Sequence, residues 1–297
     1  RPYAEILRQW SSLHPEFSYL PRKFKIAVTG AARDRAAIRV HDIGLEVRRN
    51  EKGEIGFRVL VGGGQGRTPM IAREVRDFLP EEDLIAYTDA ILRVYNLYGR
   101  RDNKYKARIK ILVHETGIDV LKQDIEAEFE RIRDGVLKLP QQEVDRIEAY
   151  FAMPDLAPRA ERSSLLEAAK ADDMGLKRFA EQNLHPHKVP GHVCLTISLK
   201  PIGGIPGDAS ADQMDVVADL AERYGHDEIR VSHEQNLVLP HVALDDVPAI
   251  YAVLKENGLG TPNAGLVTDI IACPGLDYCA LANARSIPVA QEISRRF

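Results

Sequence analysis

The sequence predicts a mixed α/β (α+β) fold, because segments with the apolar pattern of strands are interspersed with segments that carry the apolar spacing of helices. Two strand-like runs flank the turn-forming residues Asn50 to Gly53, and residues 80–97 and 117–133 show helical spacing. Strand and helix patterns then alternate again between residues 192 and 258. At 297 residues the chain exceeds one ordinary domain, so more than one core is expected.

The first predicted domain covers residues 20–150 and follows an N-terminal arm of residues 1–19. FKIAVTG and the two halves of IRVHDIGLEVRRNEKGEIGFRVLVGGG are predicted strands. RIKILVHE, which lies between the two helical segments, is predicted as a further strand. These strands and amphipathic helices together predict a domain built on a mixed sheet.

A linker is predicted over residues 151–189, where MPDLAPRAERSS is rich in proline, charge and serine. Residues 190–262 follow as a β-α-β-β-α unit, whose size suits a ferredoxin-like half-domain. Its first helix begins with a capping box, Ser210 and Gln213, and ends at Gly225. One face of that helix carries the residues expected to pack on the sheet: Val217, Leu220, Ala221 and Tyr224.

The composition is that of a soluble globular protein, with 44% apolar and 28% charged residues and no apolar run of about 18 residues. No membrane partner is therefore expected. Three cysteines are too few for a secreted disulfide scaffold, which favours a reducing, cytoplasmic location. Arg1 is not a translation start, so we expect the chain to come from within a longer protein.

Basic residues cluster early in the chain, although its net charge is -4. LPRKFK contains Arg22, Lys23 and Lys25, and residues 93–110 hold seven basic residues against Asp102 alone. In an extended segment Lys23 and Lys25 lie on the same side and can bind one small anion. A solvated basic edge and a nucleic-acid interface are the alternatives, and the sequence pI of about 6.2 argues against nucleic acid.

Cys273 and Cys279 form a C-x5-C pair around a loop that Pro274 and Gly275 favour. Paired thiolates on such a loop can bind one metal ion or iron–sulfur centre, although the spacing is not that of a zinc ribbon. Buried thiols without a ligand and redox chemistry are the alternatives. Cys194, in the strand-like HVCLTISLK, is interpreted as a small buried hydrophobic residue.

VGGGQGRTP places Gly62, Gly63 and Gly64 after a predicted strand, where backbone amides can approach an anionic or flat ligand. The run is not a dinucleotide fingerprint, because Arg67 occupies the last glycine position, and no Walker lysine follows. A tight structural turn is the alternative.

Five segments in one order, LPRKFK, VGGGQGRTP, NKYKARIK, SHEQNL and ACPGLDYC, resemble the sulfite and nitrite reductase haemoprotein family. The resemblance extends from about Leu20 to the end of the chain, and residues 134–185 are its least characteristic part. It implies a sirohaem-binding domain over residues 20–150, a ferredoxin-like half-domain, and the start of a second sirohaem and cluster domain over residues 263–297. The implied reaction is the six-electron reduction of sulfite to sulfide, with nitrite reduction to ammonia as the close alternative.

The resemblance also implies roles for single residues. Three lysines match basic residues that hold the oxyanion and help to deliver protons: Lys23, Lys25 and Lys106. Residues implied to contact the sirohaem are Gly62, Gly63, Gly64, Arg108 and Gln235. Cys273 and Cys279 match the first two of four thiolates that hold a [4Fe-4S] cluster, and the second pair, C-x3-C, is not among the 297 residues.

The implied electron donor is a ferredoxin or a flavoprotein, and no nucleic acid is expected as a partner. Because two cluster ligands and the family's N-terminal half are not in this sequence, we expect the chain by itself to be inactive and to lack a stoichiometric cluster. A fold relative without a redox centre is the remaining alternative.

Overall fold

Two separate four-stranded sheets organise the chain, for which the computed structural model describes residues 1–280 and 282–297. The first unit covers Arg1–Met153 and the second covers Pro154–Phe297. Each unit has its own apolar core. The mixed α+β class predicted from the sequence is therefore confirmed. Within the described residues, no helix combines the length and the apolar character needed to cross a membrane.

The first unit consists of a mixed sheet with helices packed on it. Its elements are α1 (Pro2–Ser11), β1 (Ile26–Thr29), β2 (Ile43–Arg49), β3 (Ile55–Val61), β4 (Arg73–Pro80), α2 (Leu84–Tyr98), α3 (Ile109–Thr116), α4 (Ile118–Ile132) and α5 (Gln141–Ala149). The strand order is β1-β2-β3-β4, with β1 parallel to β2 and the other pairs antiparallel. One face of the sheet supplies Leu45, Phe57 and Val59 to the core, where α2 adds Tyr87 and Tyr95.

The turn between β2 and β3 forms where the sequence predicts it. The side-chain oxygen of Asn50 accepts hydrogen bonds from the backbone N–H groups of Lys52 and Glu54, at 3.0 Å each. Gly53 has φ +81°, a left-handed conformation that costs glycine little. This turn fixes the register in which β2 and β3 pair.

Two expectations for the first unit are wrong, and two of its elements were not predicted. RIKILVHE forms helix α3 rather than a strand: Ile109, Leu112 and Val113 are buried at the i, i+3, i+4 spacing of one helix face. Residues 1–19 are not an arm, because α1 buries Tyr3, Ile6 and Leu7 in the core. Strand β4 and helix α5 have no counterpart in the sequence prediction.

The second unit contains a smaller antiparallel sheet. Its elements are α6 (Ser164–Asp172), α7 (Met174–Asn183), β5 (Leu184–Pro186), β6 (His192–Ile197), α8 (Ala211–Tyr224), β7 (Arg230–Val231), β8 (Leu237–Ala243), α9 (Val247–Glu256) and α10 (Ile287–Arg296). The strand order is β5-β6-β8-β7. The interpretation of residues 151–189 as a linker is wrong beyond Ser163, since α6, α7 and β5 follow, and Leu166, Leu176 and Phe179 belong to the core.

Helix α8 begins as its sequence predicts. Ser210 Oγ accepts from the Gln213 N–H at 3.2 Å, and Gln213 Oε1 accepts from the Ser210 N–H at 3.0 Å. Val217, Leu220 and Ala221 are buried on its inner face, with Tyr224 packed beside them. Cys194 is only half-buried, and its thiol donates to the Pro240 carbonyl oxygen at 3.2 Å.

A directed chain of hydrogen bonds joins two histidines of the second unit. His187 Nδ1 accepts from the Val189 N–H at 2.9 Å, so the ring proton of a neutral His187 sits on Nε2. That nitrogen lies 3.0 Å from His241 Nδ1, and His241 Nε2 lies 3.3 Å from Glu228 Oε2. With both rings neutral, each N–H therefore meets an acceptor. A further proton on His241 Nδ1 would turn this acceptor into a donor, so that two N–H groups would face each other.

Burial lowers the pKa of His241 from its ordinary 6.5, assisted by nearby Arg230 and His187 and opposed by Glu228. The other rings close to this pair are those of His192 and His226. Because the folded state holds His241 neutral, the unfolded state binds more protons just below pH 6.5. The stability contributed by this ring is present above that pH and is lost as the pH falls toward the folded-state pKa.

We expect the free energy of unfolding of the second unit to decrease below pH 6.5, with a slope of up to about 1.4 kcal/mol per pH unit for one proton. His241→Asn removes the titrating ring and should flatten this slope. Hydrogen exchange of β8 amides between pH 5 and 7.5 measures the effect. His233→Asn, at an exposed histidine, is the control and should keep the wild-type slope. Equal slopes in wild type and His241→Asn would contradict the expectation.

Candidate functional site

Asp42 connects three of the segments that the sequence singles out. Its carboxylate is fully buried and accepts from Arg108 through Nε at 2.9 Å and Nη2 at 2.6 Å. The backbone N–H of Lys25 donates to the same carboxylate at 2.9 Å. The backbone carbonyl of Asp42 accepts from the Gly62 N–H at 2.9 Å. LPRKFK, the glycine turn and NKYKARIK therefore meet at one residue.

Tyr95 holds two of these segments from the core side. Its ring is fully buried, packs beside Phe24, and donates its hydroxyl proton to the Ala107 carbonyl oxygen at 2.7 Å. Burial raises the pKa of Tyr95 to about 12, so it remains a donor at neutral pH. Gly99 ends helix α2 against Tyr95, where a Cβ would lie 2.6 Å from the Tyr95 carbonyl oxygen.

Lys23 and Lys25 alternate with residues that face the core. Phe24, between them, packs against the core of the first unit, and Ile26 continues that inward side. Both lysines are exposed. Lys106 is exposed as well, on a single 3-10 turn that Asn103 begins by accepting from the Tyr105 N–H. The structure describes no ion pair for these three lysines, whereas Arg108 is committed to Asp42.

The three glycines are required by close packing inside the protein. Gly62 has φ +86°, and a Cβ there would lie 2.5 Å from a Val113 methyl carbon. A Cβ at Gly63 would lie 2.5 Å from the Arg39 carbonyl oxygen, and one at Gly64 would lie 2.9 Å from Lys110 Cδ. These close contacts explain why glycine is needed at all three positions, and no bound ligand has to be invoked. A contact between the glycines and a cofactor therefore stays a prediction.

Lys110 holds the loop that follows the glycines. It is buried, and its ammonium group donates to the carbonyl oxygens of Gln65 at 2.8 Å and Thr68 at 2.7 Å. Burial lowers the pKa of Lys110, and the charge of Arg108 lowers it further. The loop closes where Gly64 and Met70 exchange two backbone hydrogen bonds.

A cavity of about 1010 Å³ lies beside this turn, and the charged side chains that line it are mainly basic. Its charged and titratable lining consists of Arg39, Arg58, Arg73, Glu74, Lys110 and His114. Arg58 is paired with Glu74 at 2.5 Å and with Glu46 at 3.4 Å. No described acidic side chain forms an ion pair with Arg39 or Arg73, so the cavity keeps two positive charges that an anion can neutralise.

The cysteine pair lies on a short loop of the second unit. Cys273 is exposed and Cys279 is half-buried, and one 3-10 turn over Gly275–Asp277 separates them. Gly275 has φ +61°, and a Cβ there would lie 2.6 Å from the Ala284 carbonyl oxygen. The turn that Pro274 and Gly275 predict is thus confirmed. In the described part of the chain, no three His, Cys, Asp or Glu side chains are grouped to hold a metal ion.

Gln235 is bound to the backbone next to Cys273. Its Nε2 donates to the Ala272 carbonyl oxygen at 3.0 Å, and its Oε1 accepts from the Ala272 N–H at 3.1 Å. A buried ion pair adjoins it: Lys200 Nζ donates to Asp269 Oδ1 at 2.6 Å and to Asn236 Oδ1 at 3.0 Å. Both amide atoms of Gln235 are therefore used within the protein.

Comparison with known families identifies the chain. The profile described as "Nitrite and sulphite reductase 4Fe-4S domain" matches residues 1–132, and "Nitrite/Sulfite reductase ferredoxin-like half domain" matches residues 185–257. The chain belongs to the nitrite and sulfite reductase family. The resemblance seen in the sequence is thus confirmed, as is the ferredoxin-like half-domain.

Individual family members resemble the chain along its whole length. It is 28% identical to the chloroplastic ferredoxin–nitrite reductase of Zea mays, over 100% of this chain and 48% of that protein. It is 29% identical to sulfite reductase [ferredoxin] 2 of Mycolicibacterium paratuberculosis, over 99% of this chain and 46% of that protein. The solved structure of the Mycobacterium tuberculosis NirA protein superimposes with a TM-score of 0.71 at 24% identity, over 99% of this chain and 47% of that chain. The chain spans about half the length of these proteins.

Sequence reasoning missed the buried acids and the lysines that hold the reductase motifs in place. Asp42, Lys110, Lys200 and Asp269 all lie outside the predicted site residues. A signal exists for Lys110, which interrupts the apolar run of IKILV, and for Asp42, which precedes the strand IGLEV. A lone charge within or beside a buried apolar run is a buried group that needs a partner.

Asp42→Asn is expected to lower the free energy of unfolding of the first unit by about 3–5 kcal/mol, because it leaves the Arg108 charge without its buried partner. Denaturant unfolding followed by fluorescence measures this, since Trp10 is the single tryptophan and packs against that core. The control Asp77→Asn removes an exposed partner of Arg48 and should cost less than about 1 kcal/mol. Equal effects of the two substitutions would contradict the role of Asp42.

Proposed function

We propose that the chain is the part of a sulfite reductase haemoprotein that binds sirohaem and supplies half of the thiolates for a [4Fe-4S] cluster. The observation that supports this best is the junction at Asp42. One buried carboxylate holds the backbone of Lys25 and the guanidinium of Arg108 beside the glycine turn, and Lys23 and Lys25 are both exposed. A site for a small oxyanion needs several cations at defined positions, and the bond from Asp42 to the Lys25 N–H supports this proposal by fixing the backbone that carries one of them.

The residues of the first unit fit a polyanionic macrocycle. Sirohaem carries eight carboxylates, so its site must supply many positive donors. Arg39 and Arg73 line the cavity without an acidic partner among the described residues, and the cavity volume of about 1010 Å³ can accommodate a large ligand. Gly62 lines the same cavity, Gly63 and Gly64 follow it in the chain, and Arg108 is linked to Gly62 through Asp42. We propose that these residues contact the macrocycle.

Lys23, Lys25 and Lys106 are proposed to bind the substrate oxyanion. Their ammonium groups can donate hydrogen bonds to sulfite oxygens and stabilise negative charge on them. An ammonium group can also pass a proton to an oxygen that leaves as water, and solvent then restores the proton. When bound, the sirohaem and cluster supply the electrons, which no side chain of the chain can store.

Cys273 and Cys279 are proposed to ligate the cluster. Both thiols are accessible on a loop with one tight turn, and thiolates are the ligands that iron–sulfur clusters prefer. Gln235 is proposed to act at this loop through Ala272.

Nitrite reduction to ammonia is the second candidate, because ferredoxin–nitrite reductases match the chain as well as sulfite reductases do. Both substrates are small oxyanions that the same lysines can bind. The names of these relatives also favour ferredoxin over a flavoprotein as the electron donor. A cytoplasmic location is proposed with this function.

Titration with metal-free sirohaem macrocycle tests the cofactor proposal on the chain itself. Quenching of the macrocycle's fluorescence measures its affinity for the chain, which should decrease as the salt concentration rises. The affinity should also be higher than that of a porphyrin with two carboxylates. Arg39→Gln combined with Arg73→Gln should weaken binding about tenfold or more, because each charge-assisted hydrogen bond contributes about 1.5–3 kcal/mol. Lys52→Gln at the tip of the β2–β3 turn is the matched control. Binding that is absent, or equal for both macrocycles, would contradict the proposal.

Lys25→Gln tests the substrate role in the complete reductase that contains this segment. We expect kcat/KM for sulfite to fall at least about tenfold, since a charge-assisted contact to the reacting oxyanion is lost. The visible spectrum of the bound sirohaem should stay unchanged, which separates substrate binding from cofactor loss. An unchanged kcat/KM for both sulfite and nitrite would refute the assignment of Lys25.

A further inference from the structure

The loop that carries the cysteines is poorly fixed by apolar packing. Ile271, Leu276 and Tyr278 are all exposed, at 56%, 49% and 73% of their surface. Such a loop needs polar contacts to hold a defined conformation, because it buries little surface that could offset the entropy of ordering it. The contacts that the structure describes come from two places. Gln235, in the turn Ser232–Asn236, binds the backbone of Ala272, while Ser286 Oγ donates to the Cys273 carbonyl oxygen and the Leu276 N–H donates to the Ala284 carbonyl oxygen.

The turn Ser232–Asn236 is itself held rigidly. Ser232 Oγ accepts from the N–H groups of Glu234 at 3.2 Å and Asn236 at 3.3 Å. The Ser232 N–H donates to the Asn236 carbonyl oxygen at 2.8 Å. Lys200 and Asp269 also hold the turn, because the Asn236 side chain accepts a hydrogen bond from Lys200 and donates one to Asp269.

Asp269 links this turn to the segment that leads to Cys273. Its side chain is 4% exposed and accepts from Lys200, Asn236 and the Gly265 N–H. Burial by itself raises the pKa of Asp269, but the Gly265 N–H, Lys200 and Asn236 outweigh burial, so the pKa lies below its ordinary value. The carboxylate is therefore ionised at neutral pH and fully hydrogen-bonded.

Gln235 has a backbone conformation that its residue type does not favour. Its φ is +60°, where a non-glycine residue is strained by roughly 1–3 kcal/mol. Glycine would relieve this strain, but it would lack the side chain that binds both the N–H and the carbonyl of Ala272. Those two hydrogen bonds help to offset the strain.

We propose that Gln235 is a positioning residue for Cys273: it clamps the backbone of Ala272 and so fixes the direction from which the thiolate reaches an iron atom. This rests on the proposed function of Cys273 and Cys279 as half of a cluster site. It assigns Gln235 an action through the cysteine loop rather than a direct contact with sirohaem.

Cadmium ion alone, added to the reduced full chain, tests the clamp, because Cd²⁺ is a soft ion whose thiolate bonds absorb in the ultraviolet. Gln235→Gly should weaken Cd²⁺ binding and accelerate hydrogen exchange of the Ala272 amide, each about tenfold, the effect of losing about 1.4 kcal/mol of hydrogen bonding. The urea concentration at which the Gln235→Gly variant unfolds should equal that of the wild type or exceed it, because the substitution relieves the backbone strain. His233→Ala, an exposed neighbour in the same turn, should change neither quantity.

The outcomes separate the clamp from the proposed function. If wild type and Cys273→Ser bind Cd²⁺ equally, the cysteine pair is not a metal half-site and the proposed function fails. If wild type binds more tightly than Cys273→Ser but Gln235→Gly matches the wild type in affinity and exchange, the clamp is refuted and the half-site stands. Should Gln235→Gly unfold, Gln235→Leu carries the same test: it keeps a side chain of similar size without adding charge, loses both hydrogen bonds to Ala272, and should bind Cd²⁺ more weakly than wild type.

Discussion

The first unit depends on satisfying one buried charge. Asp42 has no access to water, so its carboxylate and carbonyl oxygens must find donors within the protein. Those donors come from Lys25, Gly62 and Arg108, which belong to three distant segments of the chain. Moving any one segment would leave a buried charge or amide unpaired, and that cost is larger than the net gain from most single contacts. A buried ion pair of this kind is weak evidence for stability, but it specifies position.

The second unit follows the same principle with Asp269. Its carboxylate binds Lys200, Asn236 and the Gly265 N–H, and so joins the end of the β6 segment, the turn before β8 and the segment leading to the cysteines. Apolar packing cannot hold such loops, because their large side chains face solvent. Hydrogen bonds to a buried acid can hold these loops, because the bonds are directional and losing one leaves a buried polar group unpaired. In both units, apolar burial shapes the sheet, while a buried acid positions the loops that carry the proposed site residues.

The basic residues of the first unit divide into two groups by their partners. Arg58, Arg108 and Lys110 are held by carboxylates or carbonyl oxygens, and they stabilise the sheet face, the junction and the glycine loop. Lys23, Lys25, Lys106, Arg39 and Arg73 have no described ion pair, so no described carboxylate neutralises their charges. In the sequence the two groups cannot be told apart, because every member is simply a positively charged residue. Only the partners that each residue meets after folding decide which of them can serve a ligand.

The sequence by itself determined the fold class, the β2–β3 turn and the capped helix α8, because each depends on residues close together in the chain. It also determined the family, since five short motifs keep one order. Tertiary structure decided that RIKILVHE is a helix: its β-branched residues suit a strand, yet Ile109, Leu112 and Val113 are buried as one helix face. It likewise decided that Arg108 binds Asp42 and that Gln235 binds Ala272. Each partner lies tens of residues away in the chain, so the local sequence pattern cannot predict the pairing.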